Sequence, residues 1–308
     1  MKSLATFFIL CAAFVSRALG QDASVNNIAG MGYFYPAPVS VAPGQLITVF
    51  VSGNLQGTIT ATVNQVSAHP APVLEVRPAS ACVLAPSTAA CSAVTAVTIQ
   101  IPFEIVPTCF VCATPASLFT QLFISVNGAA GALFDLTPLT DRVHILTSCD
   151  TVVPGGSGYL PLIGLPCPPL VTHADGSLVT LASPAAGGEE LVAYAVGLGA
   201  TTPAVPTGQA AAAAIPTVET FLAGYNYQPN ALAAQPVQPM TAADEFAGVS
   251  VPLFTGLVPG YVGLYQVNFV VPRPPAGTPA CIGTIQSNLT VSLGGQYSFD
   301  GAGICVKP

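Results

Sequence analysis

Two cysteines separated by two residues, Cys109 and Cys112 in the stretch TCFVCATP, could carry out thiol redox chemistry, bind a metal ion or form a structural disulfide. A redox-active pair needs a helix N-terminus or nearby basic groups, because these favour the thiolate. Phe110 and Val111 instead favour a strand, and no Lys, Arg or His lies within twenty residues of the pair. A zinc site would need two further ligands, and no His stands beside the pair. The motif therefore predicts a structural disulfide, formed within the pair or with other cysteines.

Three histidines, His69, His144 and His173, limit the acid–base chemistry that the chain could perform. His173 lies two residues before Asp175, which Gly176 follows, and this group could be an acid–base fragment or a calcium contact. An Asp-Gly pair between apolar runs is first of all a turn signal, however. The serine hydrolase, zinc protease and phosphate-loop motifs are all absent from the sequence.

Carboxylates offer a second possible chemistry. Glu189 and Glu190 could bind calcium or act as a pair, although the ordinary explanation is a solvated strand start. Glycoside hydrolysis requires two carboxylates that converge in a cleft. The remaining candidates lie in unrelated segments of the chain, at Glu75, Glu104, Glu219 and Asp244. We therefore predict no catalytic residue, no metal ligand and no cofactor.

Tyrosines are the side chains most suggestive of a binding surface. Tyr225 and Tyr227 lie in a Pro- and Gln-rich segment that favours a loop. Tyr261 and Tyr265, in PGYVGLYQ, fall on the same side of one strand, where core packing is the ordinary account. We predict a binding surface that includes Tyr225, Tyr227 and Tyr261.

The first twenty residues predict a secretory signal. Lys2 supplies a positive start, residues 4–15 are an apolar run, and Ala18-x-Gly20 is a small-residue cleavage site. Later hydrophobic stretches are interrupted by Pro, Gly or polar residues within the roughly 20 positions that a membrane span requires. The mature chain is therefore expected to be soluble and secreted, extracellular or at the cell surface.

Composition limits the fold and the partners. The chain of 308 residues has a net charge of −7, so nucleic acid and anionic lipid are poor partners. Thirty Pro, twenty-nine Gly and many Val, Thr and Ala favour short strands and turns over helices. The length suffices for two domains with separate cores. These features predict an all-β protein.

Eight cysteines follow the signal segment, and an even number in a secreted chain is typical of a disulfide framework. Many pairings are possible, and we predict pairing between sequential neighbours. The predicted disulfides are Cys82 with Cys91, Cys109 with Cys112, Cys149 with Cys167, and Cys281 with Cys305.

The chain also resembles itself. Residues 96–103, AVTIQIPF, alternate apolar and polar side chains as a half-buried strand does. Three groups of segments recur in order: 42–54 with 186–199, 71–78 and 96–105 with 250–260 and 264–274, and 121–136 with 288–301. An insertion in the second copy is predicted to form a surface loop at residues 208–246.

Two repeats of several short strands predict two tandem Ig-like β-sandwiches, with closed barrels as the main alternative. The predicted organisation is a signal peptide (1–20), a first sandwich (21–148), a Gly- and Pro-rich linker (149–169) and a second sandwich (170–308). A disulfide between Cys149 and Cys167 would stiffen the linker.

The stretches THADGSLVTLASPAAGGEELVAYAVGLG (172–199) and LVPGYVGLYQVNFVVP (257–272) resemble the signature of an uncharacterised C-terminal β-sandwich domain family of secreted acidobacterial proteins. VAPGQLITVF (41–50) and IQIPFEI resemble the upstream half of that family, so the likeness covers residues 37–300. The resemblance implies a module appended to larger secreted proteins, with no activity attached to it. The cysteines depart from the family pattern.

These observations predict a secreted, disulfide-stabilised, non-enzymatic interaction or adhesion module that binds an extracellular protein or polysaccharide. Loops at the ends of the sandwiches would carry recognition, above all residues 208–246. A self-assembling subunit of a surface layer or filament is the alternative, because low charge and many edge strands favour strand addition. A secreted hydrolase is a third hypothesis, which would need a pocket with converging carboxylates or histidines.

Overall fold

The structure is a computed structural model, and it describes residues 27–30, 33–35, 39–80, 93–108, 119–150, 152–153, 167–236 and 248–308. The described residues form strands, turns and irregular segments and contain no helix. The prediction of an all-β fold is therefore confirmed. No helix in these described ranges is long and apolar enough to cross a membrane.

The first half of the chain contains two five-stranded sheets. One sheet has the order β2-β1-β4-β8-β7 and the other the order β3-β10-β9-β5-β6. The strands are β1 (Asn27–Gly30), β2 (Tyr33–Tyr35), β3 (Val39–Val41), β4 (Leu46–Ser52), β5 (Ile59–Asn64), β6 (Ala68–Ala71), β7 (Val73–Ser80), β8 (Ala93–Gln100), β9 (Thr120–Val126) and β10 (Ala129–Pro138).

The second half contains a sheet with the order β11-β13-β18-β17-β14, to which β12 adds by pairing with β13, and a sheet with the order β16-β15-β19-β20. The strands are β11 (His144–Ile145), β12 (Val171–His173), β13 (Glu190–Val196), β14 (Ile215–Pro216), β15 (Leu222–Asn226), β16 (Val249–Ser250), β17 (Phe254–Leu257), β18 (Tyr265–Val270), β19 (Leu289–Gly294) and β20 (Phe299–Ile304).

The strand order of the first half recurs in the second. β4 pairs with β8 as β13 pairs with β18, and the hairpin of β9 and β10 corresponds to that of β19 and β20. β5 likewise lies between β9 and β6 as β15 lies between β19 and β16. The predicted self-resemblance of the sequence thus coincides with equivalent strand pairing.

Each pair of sheets encloses its own hydrophobic core. In the first half, Ile47, Val97 and Ile99 from one sheet are buried with Leu122 and Phe134 from the other. In the second half, the core joins β13 and β18 to β19 and β20, through side chains that include Leu191, Tyr265, Phe269, Leu293 and Ile304. Alternation along each strand directs these residues inward, so the fold consists of sandwiched sheets.

The prediction of a continuous loop over residues 208–246 is wrong for its central part. β14 pairs with β17, and β15 pairs with both β16 and β19. Because β15 occupies the place that β5 has in the first half, the segment contains a strand of the repeat as well as inserted residues. Gly224 and the flanking prolines conceal this short strand in the sequence. Residues 237–247, which include Asp244, lie outside the described residues.

The predicted boundary at residue 148 also needs correction. β11 pairs with β13, so residues 144–145 belong to a sheet of the second half. Leu146 donates a hydrogen bond to the Tyr194 carbonyl, and Tyr194 donates one to the Leu170 carbonyl. The residues that flank the predicted linker 149–169 are therefore attached to β13.

The two halves contact each other through specific groups. Leu46 of β4 is buried with Leu146 and Val196 of the second half. The Phe103 side chain packs against the second core, and its backbone N–H donates to the Thr207 hydroxyl at 2.8 Å. Gly208 donates to the Gln100 side chain at 2.7 Å. The halves thus share a packed interface.

Two of the four predicted disulfides lie among the described residues, and both are present. Cys149 is bonded to Cys167 and Cys281 to Cys305. Cys82, Cys91, Cys109 and Cys112, like the signal segment at residues 1–20, lie outside the described residues.

Candidate functional site

Two of the three tyrosines predicted at the binding surface are built into the fold. Tyr225 lies on β15 with its ring centroid 6.2 Å from that of Phe269, and its hydroxyl contacts Ser250. Tyr227 packs against the second core and donates a hydrogen bond to the Pro272 carbonyl. Burial raises the pKa of Tyr225, and it raises that of Tyr227 to about 12. These two side chains stabilise the sandwich and are poor candidates for a free binding face.

Tyr261 has a different environment. It is 59% exposed in the turn between β17 and β18, where it donates a backbone hydrogen bond to Val258. Tyr265, four residues later, is fully buried and donates its hydroxyl to the Gly199 carbonyl. Alternation predicts Tyr261 and Tyr265 on the same side of one strand. In the structure only Tyr265 belongs to β18 and is buried, whereas Tyr261 precedes the strand and is exposed. Tyr261 is an exposed aromatic, whereas Tyr225 and Tyr227 pack against the second core.

A cavity of about 710 Å³ lies in the second half, next to both described disulfides. Its lining includes Cys167 and Cys305, one cysteine from each disulfide. The other described lining residues are Pro168, Pro169, Val179, Thr180, Leu181, Ala182, Asn230, Ala231, Gln286, Ser287, Gly303 and Ile304. We call it the disulfide cavity.

Local hydrogen bonds fix one side of the disulfide cavity. The Asn230 amide oxygen accepts backbone N–H bonds from Gln286 at 2.8 Å and Ser287 at 3.2 Å, and its nitrogen donates to the Thr284 carbonyl at 2.9 Å. Asn230 adopts a φ of 52°, which Asn tolerates better than most residues. One side chain thus joins two loops, which belong to the predicted recognition segment 208–246 and to the Cys281 to Cys305 disulfide loop.

A hydrogen-bonded group of side chains adjoins the part of the lining formed by Val179 to Ala182. Nδ1 of His173 lies 2.5 Å from Glu189 Oε1, and its Nε2 lies 3.1 Å from the Ser183 carbonyl and 3.2 Å from the Ser183 hydroxyl. Glu189 Oε2 accepts the Ala186 N–H at 2.7 Å. His173 and Glu189 were candidates from the sequence, whereas Ser183 was missed because no motif surrounds it.

Serine, histidine and carboxylate in this order have the composition of a nucleophilic triad. A general base must present a free lone pair to the serine hydroxyl, but Nε2 of His173 also faces the Ser183 carbonyl, which can only accept. An imidazolium that donates at both nitrogens satisfies both neighbours. The bond to Glu189 raises the pKa of His173 in agreement with this. The group therefore links β12 to the turn that precedes β13.

His144 forms a second histidine–carboxylate cluster. Its Nδ1 lies 2.7 Å from Asp300 Oδ2, and its Nε2 lies 3.0 Å from Asp150 Oδ2. Burial alone would lower the pKa of His144, but the bonds to Asp150 and Asp300 outweigh it and raise the pKa to about 9. The same Asp300 oxygen accepts the Ile145 N–H, and the same Asp150 oxygen accepts the Thr147 N–H. The cluster joins β11 to β20 and has a structural role.

Asp141 and Glu219 are two further carboxylates with perturbed titration. Asp141 is buried and accepts N–H bonds from Tyr297 and Ser298 in the turn between β19 and β20. Burial raises the pKa of Asp141 despite these bonds, and burial also raises the pKa of Glu219, with a contribution from the Asp141 charge. Glu219 lines a smaller cavity of about 280 Å³. No group of three His, Cys, Asp or Glu in the described ranges is placed to hold a metal ion.

The other carboxylates from the sequence are dispersed. Glu75 lies 3.6 Å from Arg77 on β7, Glu104 accepts from Thr207 at the interface, and Glu190 accepts from Asn268 of β18. Asp175 accepts from the Ser177 N–H and hydroxyl in a turn, as its sequence predicts. None of these four residues lines the disulfide cavity.

Comparisons with known proteins identify no relative. No family model matches the chain, and no curated protein matches it. Among solved structures, a fragment of titin aligns at 9% identity over 87% of this chain and 93% of its own, with a TM-score of 0.18. A type I pullulanase from Bacillus subtilis in complex with maltose aligns at 8% identity over 87% of this chain and 26% of its own, with a TM-score of 0.19. TM-scores this low carry no argument about fold or function.

Proposed function

We propose that the chain is a secreted, non-enzymatic interaction module of two tandem Ig-like β-sandwiches, whose disulfide cavity binds a segment of an extracellular protein. The single observation that carries the proposal is the cavity itself, a concave and mainly apolar site of about 710 Å³ between two disulfide-bonded segments. Disulfides form and persist in oxidising compartments, which supports an extracellular setting.

The chemistry of the lining favours a peptide over a polysaccharide. Its described residues include neither an aromatic ring nor a charged side chain. Sugars are commonly recognised by stacking on aromatic rings, and the described lining contains no aromatic ring. Apolar walls of Pro168, Leu181 and Ile304 suit an aliphatic side chain, while the polar groups of Ser287 and Thr180 suit a peptide backbone. We therefore expect an uncharged, apolar anchor residue in the partner.

Self-assembly by strand addition has less support. The edge strands β6 and β7 of the first half contain Pro70 and Pro78, and proline removes a donor that a new strand would need. β7 also carries the charged pair Glu75 and Arg77. Proline and charge on edge strands are typical devices against edge-to-edge pairing.

The proposal is tested by selecting peptides from a random displayed library on the full chain. Ala182 is exposed and lines the disulfide cavity, so Ala182→Arg should block binding without removing core packing. Val218 is 62% exposed and lies outside the lining, so Val218→Arg is the matched control. We expect enriched peptides with one apolar anchor that lose at least about tenfold in affinity on Ala182→Arg alone, which corresponds to about 1.4 kcal/mol. Equal binding to all three proteins would contradict the proposal.

A further inference from the structure

Residues 174–183, which we call the wall loop, form one side of the disulfide cavity. Val179, Thr180, Leu181 and Ala182 of this loop line the cavity. The loop starts in the turn in which Gly176 donates to the His173 carbonyl, and Val179 then pairs with the backbone of Val171. Beyond Val179, Leu181 and Ala182 are exposed, so few packing contacts fix this part of the wall.

Ser183 is the point at which the end of the wall loop is attached. Its carbonyl accepts the Thr180 N–H at 3.0 Å and the Nε2 atom of His173 at 3.1 Å, and its own N–H donates to the Thr180 hydroxyl at 3.0 Å. His173 is in turn oriented by Glu189 at 2.5 Å. The position of the wall is therefore coupled to one imidazole.

The bond from His173 to the Ser183 carbonyl exists only when Nε2 carries a proton. Glu189 retains the proton on Nδ1, so loss of a proton from the imidazolium leaves a lone pair on Nε2 that faces the carbonyl oxygen. The Ser183 hydroxyl can then donate to Nε2, but the bond to the Ser183 carbonyl is lost, and the bond to Glu189 no longer joins two opposite charges.

We infer that His173 is a pH-sensitive clamp of the disulfide cavity, which maintains the wall loop in its binding conformation only while the imidazole is protonated. The inference rests on the proposed function, because it concerns regulation of the same cavity. Its geometric basis is the placement of Ser183 directly after the four lining residues and within hydrogen-bond distance of His173.

The charged groups around His173 define the pH window. Glu189 and Asp175 both favour the imidazolium, and Lys307 favours the Glu189 carboxylate. The pKa of His173 is raised above 6.5, mainly by Glu189, so the clamp is complete below 6.5 and is lost as pH rises through the raised pKa. Burial alone would raise the pKa of Glu189, but His173 and Ala186 outweigh it and lower the pKa below 4.5.

Hydrogen exchange of the full chain tests the clamp directly. The Thr180 amide, which donates to Ser183, should lose about tenfold in protection between pH 6 and pH 9, after correction for the intrinsic exchange rate. His173→Gln should remove this pH dependence, and His69→Gln, which alters a histidine paired with Ser67 in the first half, should retain it. Glu189→Gln should move the midpoint to lower pH. Equal protection at both pH values in the unsubstituted chain, or an unchanged midpoint in Glu189→Gln, would overturn the inference.

Nile red, an uncharged apolar dye, separates this inference from the proposed function. We expect its affinity for the full chain to fall about tenfold from pH 6 to pH 9, and Ala182→Arg to abolish binding at both pH values. Dye binding that Ala182→Arg abolishes but pH does not alter would overturn the clamp alone. A pH-dependent Thr180 amide with no dye binding at any pH would overturn both the proposed binding function of the cavity and its regulation by the clamp.

Discussion

Asp150 accepts a hydrogen bond from the His144 imidazole at 3.0 Å, and both side chains are buried. The other ring nitrogen of His144 lies 2.7 Å from Asp300, so one imidazolium joins two carboxylates from distant parts of the chain. An ionised buried cluster of this kind makes folding depend on pH, because its proton is bound more tightly in the folded than in the unfolded chain.

The first prediction concerns this pH dependence. The pKa of His144 rises from 6.5 to about 9 on folding, so its stabilising contribution is complete below pH 6.5 and is lost as pH rises to about 9. The shift corresponds to a loss on the order of 3 kcal/mol in the free energy of unfolding. Urea unfolding at pH 6 and pH 9.5 measures it. The His144→Gln variant should be less stable at pH 6, and its stability should depend much less on pH. If its stability depended on pH as strongly as that of the unsubstituted chain, the pH dependence could not be assigned to His144.

Strand pattern and repeat were readable from the sequence, because alternation over residues 96–103 and the recurrence of whole segments are local signals. β15 was hidden, since Leu222–Asn226 is short, contains Gly224 and lies in a Pro-rich region. The histidine clusters could not be predicted, because Asp300 is 156 residues from His144 and only tertiary packing brings them together. His173 and Glu189 were recognised individually, but their partner Ser183 has no sequence signature.

The second prediction concerns Gly197, which follows β13 at the interface of the two halves. Its φ is +78°, and a Cβ atom there would lie 1.9 Å from the Arg142 carbonyl oxygen. Gly176 has a similar φ of +84°, but a Cβ atom there would contact nothing within 4 Å. Gly176→Ala should therefore lower the free energy of unfolding only by the strain of a left-handed residue, about 1 to 2 kcal/mol.

Gly197→Ala should lower the free energy of unfolding at least about twice as much as Gly176→Ala, because the backbone of Arg142 must also move. Thermal and urea unfolding of both variants provide the comparison. If the two substitutions are equally destabilising, the close approach of Gly197 to Arg142 is not a constraint on the fold.

The third prediction concerns the two described disulfides. The bonded cysteines are separated by 18 and 24 residues, and closing loops of this size should stabilise the fold by about 3 kcal/mol each. Replacing Cys149 and Cys167 together by Ser should lower the free energy of unfolding by about this amount, and so should the paired replacement of Cys281 and Cys305. Urea unfolding of each double variant measures the loss. Either double variant with unchanged stability would show that the disulfide does not constrain the fold as described.

The last prediction concerns Asn288, which is the first residue of a glycosylation sequon, Asn288-Leu-Thr290, and is fully buried. Its nitrogen donates to the Pro279 and Val306 carbonyls at 2.8 Å each, and its oxygen accepts the Val306 N–H at 2.7 Å. Asn288→Ala would leave these buried backbone groups without partners, so the free energy of unfolding should fall by about 3 kcal/mol or more. Asn226→Ala, at an exposed position on β15, should change it by less than about 1 kcal/mol.

Urea unfolding compares the two variants. A small effect of Asn288→Ala would mean that other groups replace the lost hydrogen bonds. The fold itself requires an unmodified amide at this position, because a glycan on the Asn288 nitrogen would have to enter the packed space between Pro279 and Val306.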